Sequence, residues 1–188
     1  MLPLGTAAPD FALRDVTTGK TLKLADFSQK QALVVMFLCN HCPYVKHVED
    51  GLTAFARDYA ERDAAIVAIS SNDAETHPED APEKLATTAK SRGWKFAYLY
   101  DQAQSVAKSY TAACTPDFFV FDAQRKLVYR GQFDSSRPNS GVPVTGADLR
   151  AALDALLAGK PVAAQQKPSL GCNIKWRAGN EPQYFGNH

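Results

Sequence analysis

Two cysteines, Cys39 and Cys42, stand two residues apart between the apolar run ALVVMFL and Pro43. The apolar run consists of strand-forming residues, as expected for a central strand that is buried on both faces of a sheet. Proline is favoured in the first turn of a helix, where its missing N–H costs nothing. The CNHC segment (residues 39–42) is therefore predicted to join a buried strand to a helix, which restricts the folds open to this chain.

The pattern around this junction alternates strands with helices. Apolar residues recur every three or four positions from 41 to 62, which predicts a helix, and they run continuously again in the strand that follows. The remaining predicted elements are a hairpin over 11–24, helices near 79–92, 103–112 and 147–158, a strand at 96–101 and a second hairpin over 117–134. This order predicts an α/β fold with a mixed central β-sheet flanked by helices, an N-terminal β-hairpin and an extended C-terminal tail.

The length of 188 residues indicates one domain, taken as residues 1–160, followed by a tail over 161–188. The tail contains Ile174 and Trp176, which favour an apolar surface, so we expect it to dock on the domain. The net charge of +1 indicates no nucleic-acid or membrane partner. The first residues show no basic segment followed by an apolar one, so we expect no secretion signal and a cytoplasmic protein. Four cysteines are too few for a disulfide-stapled domain, so the CxxC is expected to be catalytic or metal-binding.

A thiol attacks only as its thiolate, and the N-terminus of a helix favours that form. Cys39 precedes the helix and is expected to be the better exposed thiol, so it is the predicted nucleophile. Cys42, in the first turn, is the predicted resolving thiol that closes the disulfide. His41 lies between them and adds a cation and a hydrogen-bond donor, so it completes the predicted catalytic set.

Three segments together resemble a known group of proteins: APDF (residues 8–11), CNHCP (39–43) and TPDFF (115–119). They are similar to the thioredoxin-like superfamily and, within it, to the peroxiredoxin-like AhpC/TSA or redoxin branch. The resemblance implies a thioredoxin-like fold with a cis-proline at Pro116 beside the CxxC. It also implies that Thr115 offers its backbone to an extended substrate.

The chain departs from peroxiredoxins at the positions that bind peroxide. Their PxxxTxxC pattern is absent before Cys39, and no arginine stands near Pro116. A peroxidase needs such donors to stabilise the leaving oxygen, and only Arg130 or Arg137 could replace them from elsewhere in the chain. The sequence therefore favours thiol–disulfide exchange, with a redox-active disulfide and no cofactor.

Two alternatives stay open: a thiol-dependent peroxidase with Cys39 as the peroxidatic residue, and a non-catalytic redox-sensing or metal-binding module. The expected partners are a disulfide-containing protein or small disulfide and a reductant such as thioredoxin or glutathione, and a homodimer is also open. No metal is predicted, because a structural zinc site needs four ligands and the chain has no second CxxC. Glu49 and Asp101 are candidate proton acceptors for Cys42, or surface carboxylates.

Cys114 and Cys172 are candidate auxiliary redox residues. Cys114 lies two residues before Pro116, and Cys172 lies in the tail. If the tail folds back over the CxxC, Cys172 could pair with Cys114 or relay electrons to Cys39. Alternatively, Cys114 packs in the core and Cys172 is a surface thiol.

Overall fold

A computed structural model describes residues 2–186, so the last two residues of the predicted tail, 187 and 188, lie outside the described part of the chain. The strands are β1 (Ala12–Asp15), β2 (Thr21–Lys23), β3 (Ala32–Phe37), β4 (Ala64–Ser70), β5 (Ala97–Tyr100), β6 (Cys114–Thr115), β7 (Asp117–Phe121), β8 (Leu127–Gly131) and β9 (Cys172–Asn173). The helices are α1 (Pro43–Asp58), α2 (Pro82–Ser91), α3 (Ser105–Ser109) and α4 (Ala147–Leu157), with short 3-10 helices at Leu24–Phe27 and Pro78–Asp80. Within residues 2–186, no helix has both the length and the apolar character needed to cross a bilayer.

Seven strands form one mixed sheet in the order β2-β1-β5-β4-β3-β7-β8. β3 runs parallel to β4 on one side and antiparallel to β7 on the other. The N-terminal hairpin extends this sheet, because β1 pairs antiparallel with β5. The predicted α/β fold with a mixed central sheet and an N-terminal hairpin is confirmed.

The sheet separates two apolar cores. All six residues of β3 are buried, as its continuous apolar sequence predicts. Alternate side chains point to opposite faces, so Val34 and Met36 pack in the core beneath α1, α2 and α4. Leu33 and Val35 pack in the second core, beneath α3.

The C-terminal tail contains the strand β9, which the sequence did not predict. β9 pairs antiparallel with β6 in a separate two-stranded sheet. Just beyond it, Ile174 and Trp176 are buried in the core beneath α3. Burial of an isoleucine side chain stabilises a fold by about 1.5–3 kcal/mol, so this contact holds the tail against the rest of the chain.

Candidate active site

The CNHC segment joins β3 to α1, as the sequence predicts. Cys42 has an extended backbone and is the N-cap of α1, and Pro43 is the first helical residue. The carbonyl oxygen of Cys42 accepts the helical hydrogen bond from the N–H of Lys46 at 3.0 Å. Cys42 therefore lies closest to the unpaired N–H groups and the positive dipole of the helix, which favour a thiolate.

Both sulfurs of the segment contact Thr115. Cys39 Sγ lies 3.2 Å from the Thr115 hydroxyl oxygen, and Cys42 Sγ lies 3.2 Å from the Thr115 carbonyl oxygen. Both thiols are buried, with Cys39 1% exposed and Cys42 0%, so the expected greater exposure of Cys39 amounts to almost nothing. Thr115 covers the pair, and Cys172 of the tail packs against the same core cluster.

Each of the two thiols shifts the pKa of the other. The hydrogen bond from Cys39 lowers the pKa of Cys42 to about 4, against the effect of burial, and hydrogen bonds from Cys172 and from the N–H of Val45 act in the same direction. The same contact with Cys42, together with burial and the charge of Asp80, raises the pKa of Cys39. Because the two sulfurs share a proton, the pair loses its first proton readily and holds its second.

The position of the shared proton responds to Thr115. The Thr115 carbonyl oxygen can only accept a hydrogen bond, so it favours a protonated Cys42. The Thr115 hydroxyl lowers the pKa of Cys39, because it can donate to the Cys39 thiolate. The proton can therefore pass from Cys39 to Cys42, which moves the negative charge to Cys39.

Asp80 anchors the CNHC segment from the short helix after β4. Its side chain is fully buried and accepts hydrogen bonds from the N–H groups of Asn40 and His41, at 2.6 and 3.2 Å. The imidazole Nδ1 of His41 lies 2.6 Å from the other carboxylate oxygen, which also accepts from the amide of Asn72 at 2.8 Å. His41 Nε2 is buried and has no hydrogen-bond partner among the described residues.

Sequence reasoning missed Asp80 and considered Glu49 and Asp101 instead. Asp101 is bound by the hydroxyl of Ser71 at 2.9 Å, and Glu49 pairs with Arg92. Neither carboxylate is among the strongest influences on the pKa of the CNHC thiols. The available signal for Asp80 was its position between two prolines in HPEDAP, which predicts a tight segment after a central strand.

Cys39, His41 and Asp80 form a cluster in which one ligand atom of each residue lies within 4.8 Å of the others. The Asp80 carboxylate already accepts four hydrogen bonds, one of them from the His41 side chain. A metal ion bound by all three residues would have to replace the contact between His41 and Asp80. The cluster is therefore better suited to hold the imidazole than to hold an ion.

The Thr115–Pro116 peptide bond is cis, as the resemblance implies. Thr115 is paired in register with Cys172 of β9, and Cys114 is paired with Asn173. A methyl group on Gly171 would meet the Thr115 carbonyl oxygen at 2.0 Å, so the tail crosses this loop in close backbone contact. The side chain of Cys172 is half-buried, packs against the core cluster that contains Cys42, and lowers the pKa of Cys42.

Cys114 and Cys172 do not face each other. Side chains that are directly opposite in a ladder share a face, and the next residue along the strand points to the other face. Cys172 therefore shares a face with Thr115, towards the CNHC thiols, whereas Cys114 shares the other face with Asn173. Burial raises the pKa of Cys114, and its thiol donates to the carbonyl oxygen of Pro116 at 3.7 Å. All four cysteines lie in the described part of the chain and are free thiols there.

The two arginines considered as peroxide-binding groups have other partners. The buried guanidinium of Arg130 donates to the Thr111 hydroxyl at 3.0 Å and to Asp117 at 3.1 Å. Arg137 donates to the carbonyl oxygen of Asp134 at 2.8 Å. Neither arginine is among the strongest influences on the pKa of Cys39 or Cys42.

Two solved structures resemble this chain over nearly its whole length. An uncharacterized conserved protein from Geobacillus kaustophilus is 56% identical, with 94% of each chain covered and a TM-score of 0.92. A hypothetical protein from Sinorhizobium meliloti is 53% identical, with 95% of this chain and 97% of that chain covered and a TM-score of 0.93. No curated protein sequence matches the chain.

The similarity to a more distant structure supports only the fold of this chain. A putative thiol:disulfide interchange protein, DsbE, from Chlorobium tepidum is 20% identical, with 84% of this chain and 99% of that chain covered and a TM-score of 0.66. The model of the AhpC/TSA family matches residues 4–130, which is more than half of the chain. With this match and the mixed sheet described above, the chain has a thioredoxin-like fold and belongs to the AhpC/TSA family.

Proposed function

We propose that this protein is a thiol–disulfide oxidoreductase that uses Cys39 and Cys42 as its dithiol. The observation that carries this proposal is the pair of neighbouring thiols at the N-terminus of α1, both in contact with Thr115, of which Cys42 has a lowered pKa. Membership of the AhpC/TSA family and the thioredoxin-like fold support a redox function in general. Thiol–disulfide exchange needs one thiol that is readily deprotonated to a thiolate and a second thiol beside it that can close the disulfide, and the pair supplies both.

In the proposed reaction, Cys39 passes its proton to the Cys42 thiolate and becomes the nucleophile. The Thr115 hydroxyl donates to the new thiolate. Cys39 attacks one sulfur of the substrate disulfide, the S–S bond breaks, and the other substrate sulfur leaves as a thiolate. Cys42 then loses its proton and attacks Cys39 Sγ, which forms the Cys39–Cys42 disulfide and releases the second substrate sulfur. The substrate gains two electrons and two protons, one proton coming from the thiol pair and the other from solvent, and the dithiol is oxidised.

His41 is proposed to exchange protons with the reacting sulfurs. Its Nδ1 is held by Asp80, which leaves Nε2 without a partner among the described residues. An imidazole held in this way can protonate a leaving thiolate and take up a proton from an attacking thiol. Asp80 is a positioning residue in this scheme, since it fixes both the ring and the backbone of the CNHC segment.

The space around the buried thiols limits the size of the disulfide that can reach them. The Thr115 backbone, proposed as the substrate-aligning edge beside Pro116, is paired with Cys172 of the tail. An extended peptide can pair there only after residues 171–173 move away, whereas a small disulfide needs less space. The substrate is therefore proposed to be a small disulfide or a protein disulfide that displaces the tail, with a thiol such as thioredoxin or glutathione as reductant.

A thiol-dependent peroxidase is the second candidate, and the family match favours it. In that reaction, the Cys39 thiolate attacks a peroxide and forms a sulfenic acid, and an alcohol or water leaves. Cys42 then condenses with the sulfenic acid to give the disulfide and water. The partners found for Arg130 and Arg137 weaken this candidate, because neither guanidinium is free to stabilise the leaving oxygen.

The two candidates are separated by single-turnover oxidation of the reduced protein. A small aromatic disulfide and hydrogen peroxide are supplied in parallel, with Cys39→Ser as the test variant and Cys114→Ser as the control for loss of a thiol. Fast reaction with the disulfide that is lost only in Cys39→Ser supports the oxidoreductase. Fast, Cys39-dependent reaction with peroxide alone supports the peroxidase, and Cys39-independent reaction with both refutes both proposals.

A further inference from the structure

The tail holds Cys172 at a defined place beside the CNHC thiols. On one side, β9 pairs with β6, and the N–H of Ile174 donates to the Ala113 carbonyl oxygen at 3.1 Å. On the other side, the Ile174 side chain is 1% exposed in the core beneath α3. Gly171 lies so close to the Thr115 carbonyl that no larger residue fits there without movement. These contacts fix Cys172 from both sides.

Cys42 is the central sulfur of a three-thiol cluster: Cys39 and Cys42 both contact Thr115, Thr115 is paired with Cys172, and Cys172 packs against the core cluster that contains the other two thiols. Cys42 also shifts the pKa of both other thiols. The three thiols differ in their access to solvent. Cys39 and Cys42 are buried, whereas Cys172 is only half-buried. A disulfide between Cys39 and Cys42 is therefore shielded from an external thiol, and Cys172 is the one sulfur of the cluster that such a thiol can approach.

We propose that Cys172 is a third redox cysteine, which takes the disulfide from the buried Cys39–Cys42 pair and presents it to an external dithiol reductant. This inference rests on the proposed oxidoreductase function, because it describes how the oxidised pair is returned to the reduced state. Thiol–disulfide exchange at Cys39 and Cys42 does not itself require the tail, and the relay gives the tail a function.

The relay consists of three exchange steps. First, the Cys172 thiolate attacks Cys42 Sγ of the Cys39–Cys42 disulfide, so the Cys42–Cys172 bond forms and Cys39 leaves as a thiolate that takes up a proton. Second, one thiolate of the reductant attacks Cys172 Sγ, and Cys42 leaves. Third, the second thiolate of the reductant attacks the reductant's own sulfur in the mixed disulfide, which closes the reductant's disulfide, and Cys172 leaves as a thiolate that takes up a proton. The reductant ends as a disulfide, and all three protein thiols are reduced.

Charges in the cluster favour these steps. Burial, followed by the hydrogen bond and the charge of Cys42, raises the pKa of Cys172 to about 11 in the reduced protein, and Lys175 opposes this effect. Once Cys42 is in a disulfide it carries no charge, so that repulsion disappears and the attraction of Lys175 remains. In the second step, Cys42 is the leaving thiol, and a leaving thiol of low pKa departs faster.

Disulfide mapping tests the bond that the relay requires. Reduced full-length protein is treated with one equivalent of diamide, and its free thiols are blocked with N-ethylmaleimide. Protease digestion and mass spectrometry then identify the paired cysteines. In Cys39→Ser we expect the Cys42–Cys172 disulfide to be the main product, although Cys114 is also present. Recovery of Cys172 as the alkylated thiol in this variant, or its pairing with Cys114, would overturn the proposal.

Reduction kinetics test whether the relay is used. The oxidised natural chain, Cys172→Ser and the control Cys114→Ser are mixed with dithiothreitol, and the loss of the disulfide is followed by quenched alkylation. We expect reduction of Cys172→Ser to be at least about tenfold slower, because the external thiolate must then reach a buried sulfur. Equal or faster reduction of Cys172→Ser overturns the relay.

The two tests also separate this inference from the proposed function. If the natural chain fails to reduce disulfide substrates, the proposed function fails, whereas the mapping result in Cys39→Ser is unaffected. If the natural chain reduces substrates and Cys172→Ser is re-reduced at the same rate, only the relay fails.

Discussion

Replacement of Gly171 by alanine is expected to loosen the tail from the candidate active site. The added Cβ would lie 2.0 Å from the Thr115 carbonyl oxygen, 2.6 Å from the carbonyl carbon and 3.1 Å from the nitrogen of Pro116. All three atoms belong to the backbone, so they cannot rotate away as a side chain can. Non-bonded atoms pack at about 3.5–4.0 Å, so the tail and the Thr115–Pro116 loop must separate by about 1.5 Å.

The cost of this separation follows from the contacts that it breaks. Overpacking of this kind destabilises a closed arrangement by about 1–3 kcal/mol. Movement of the tail relieves the strain, so the same free energy shifts the balance from the closed tail towards the open one. Since 1.4 kcal/mol corresponds to a factor of ten, the open population should rise about 5- to 150-fold.

Alkylation of the thiols measures the open population. Reduced protein is treated with iodoacetamide, and the modification of each cysteine is followed by mass spectrometry, with Leu170→Ala as the matched control. Leu170 is the neighbouring tail residue and is 54% exposed, so its truncation should leave the closed tail in place. We expect Cys39 and Cys42 to be alkylated about 5- to 150-fold faster in Gly171→Ala only. Rates equal to those of the natural chain would show that the tail does not limit access to the thiols.

Three further predictions concern the same region. In Gly171→Ala, the lowered pKa of Cys42, about 4, should make alkylation of the pair nearly constant from about pH 5 to pH 8, and a steep rise over this range would contradict a thiolate in the pair. Asp80→Asn removes a charge that raises the pKa of Cys39, so the alkylation profile of Cys39 in a Gly171→Ala background should shift to lower pH. It should also lower the free energy of unfolding by about 1–3 kcal/mol, as measured in urea, because the amide nitrogen that replaces Oδ2 cannot accept the hydrogen bond from the Asn72 side chain. Ile174→Ala should destabilise the fold by about 2–4 kcal/mol and speed alkylation of Cys42, and an unchanged urea midpoint would mean that the tail is not held by this side chain.

Much of the main sheet could be predicted from local patterns. The apolar run before Cys39 is β3, the periodic segment after it is α1, and the hairpin at residues 11–24 is β1 and β2. These elements follow from side-chain spacing and from Pro43, which act over a few residues. The tail strand β9 could not be predicted in this way, because two residues have no period and their pairing partner, β6, is distant in the sequence.

The candidate site likewise has features that follow from the local sequence and features that depend on the packing of distant segments. The sequence by itself determined that two thiols lie at a strand–helix junction, with a histidine between them and Thr115–Pro116 before a late strand, since these features need only residue order. Only the tertiary structure decided that Asp80 holds His41, that the tail packs beside the thiol pair, and that Cys172, rather than Cys114, faces Cys42. Such contacts depend on the register of paired strands and on which side chains are buried next to each other. Register and burial arise when distant segments pack, so no local sequence pattern specifies them.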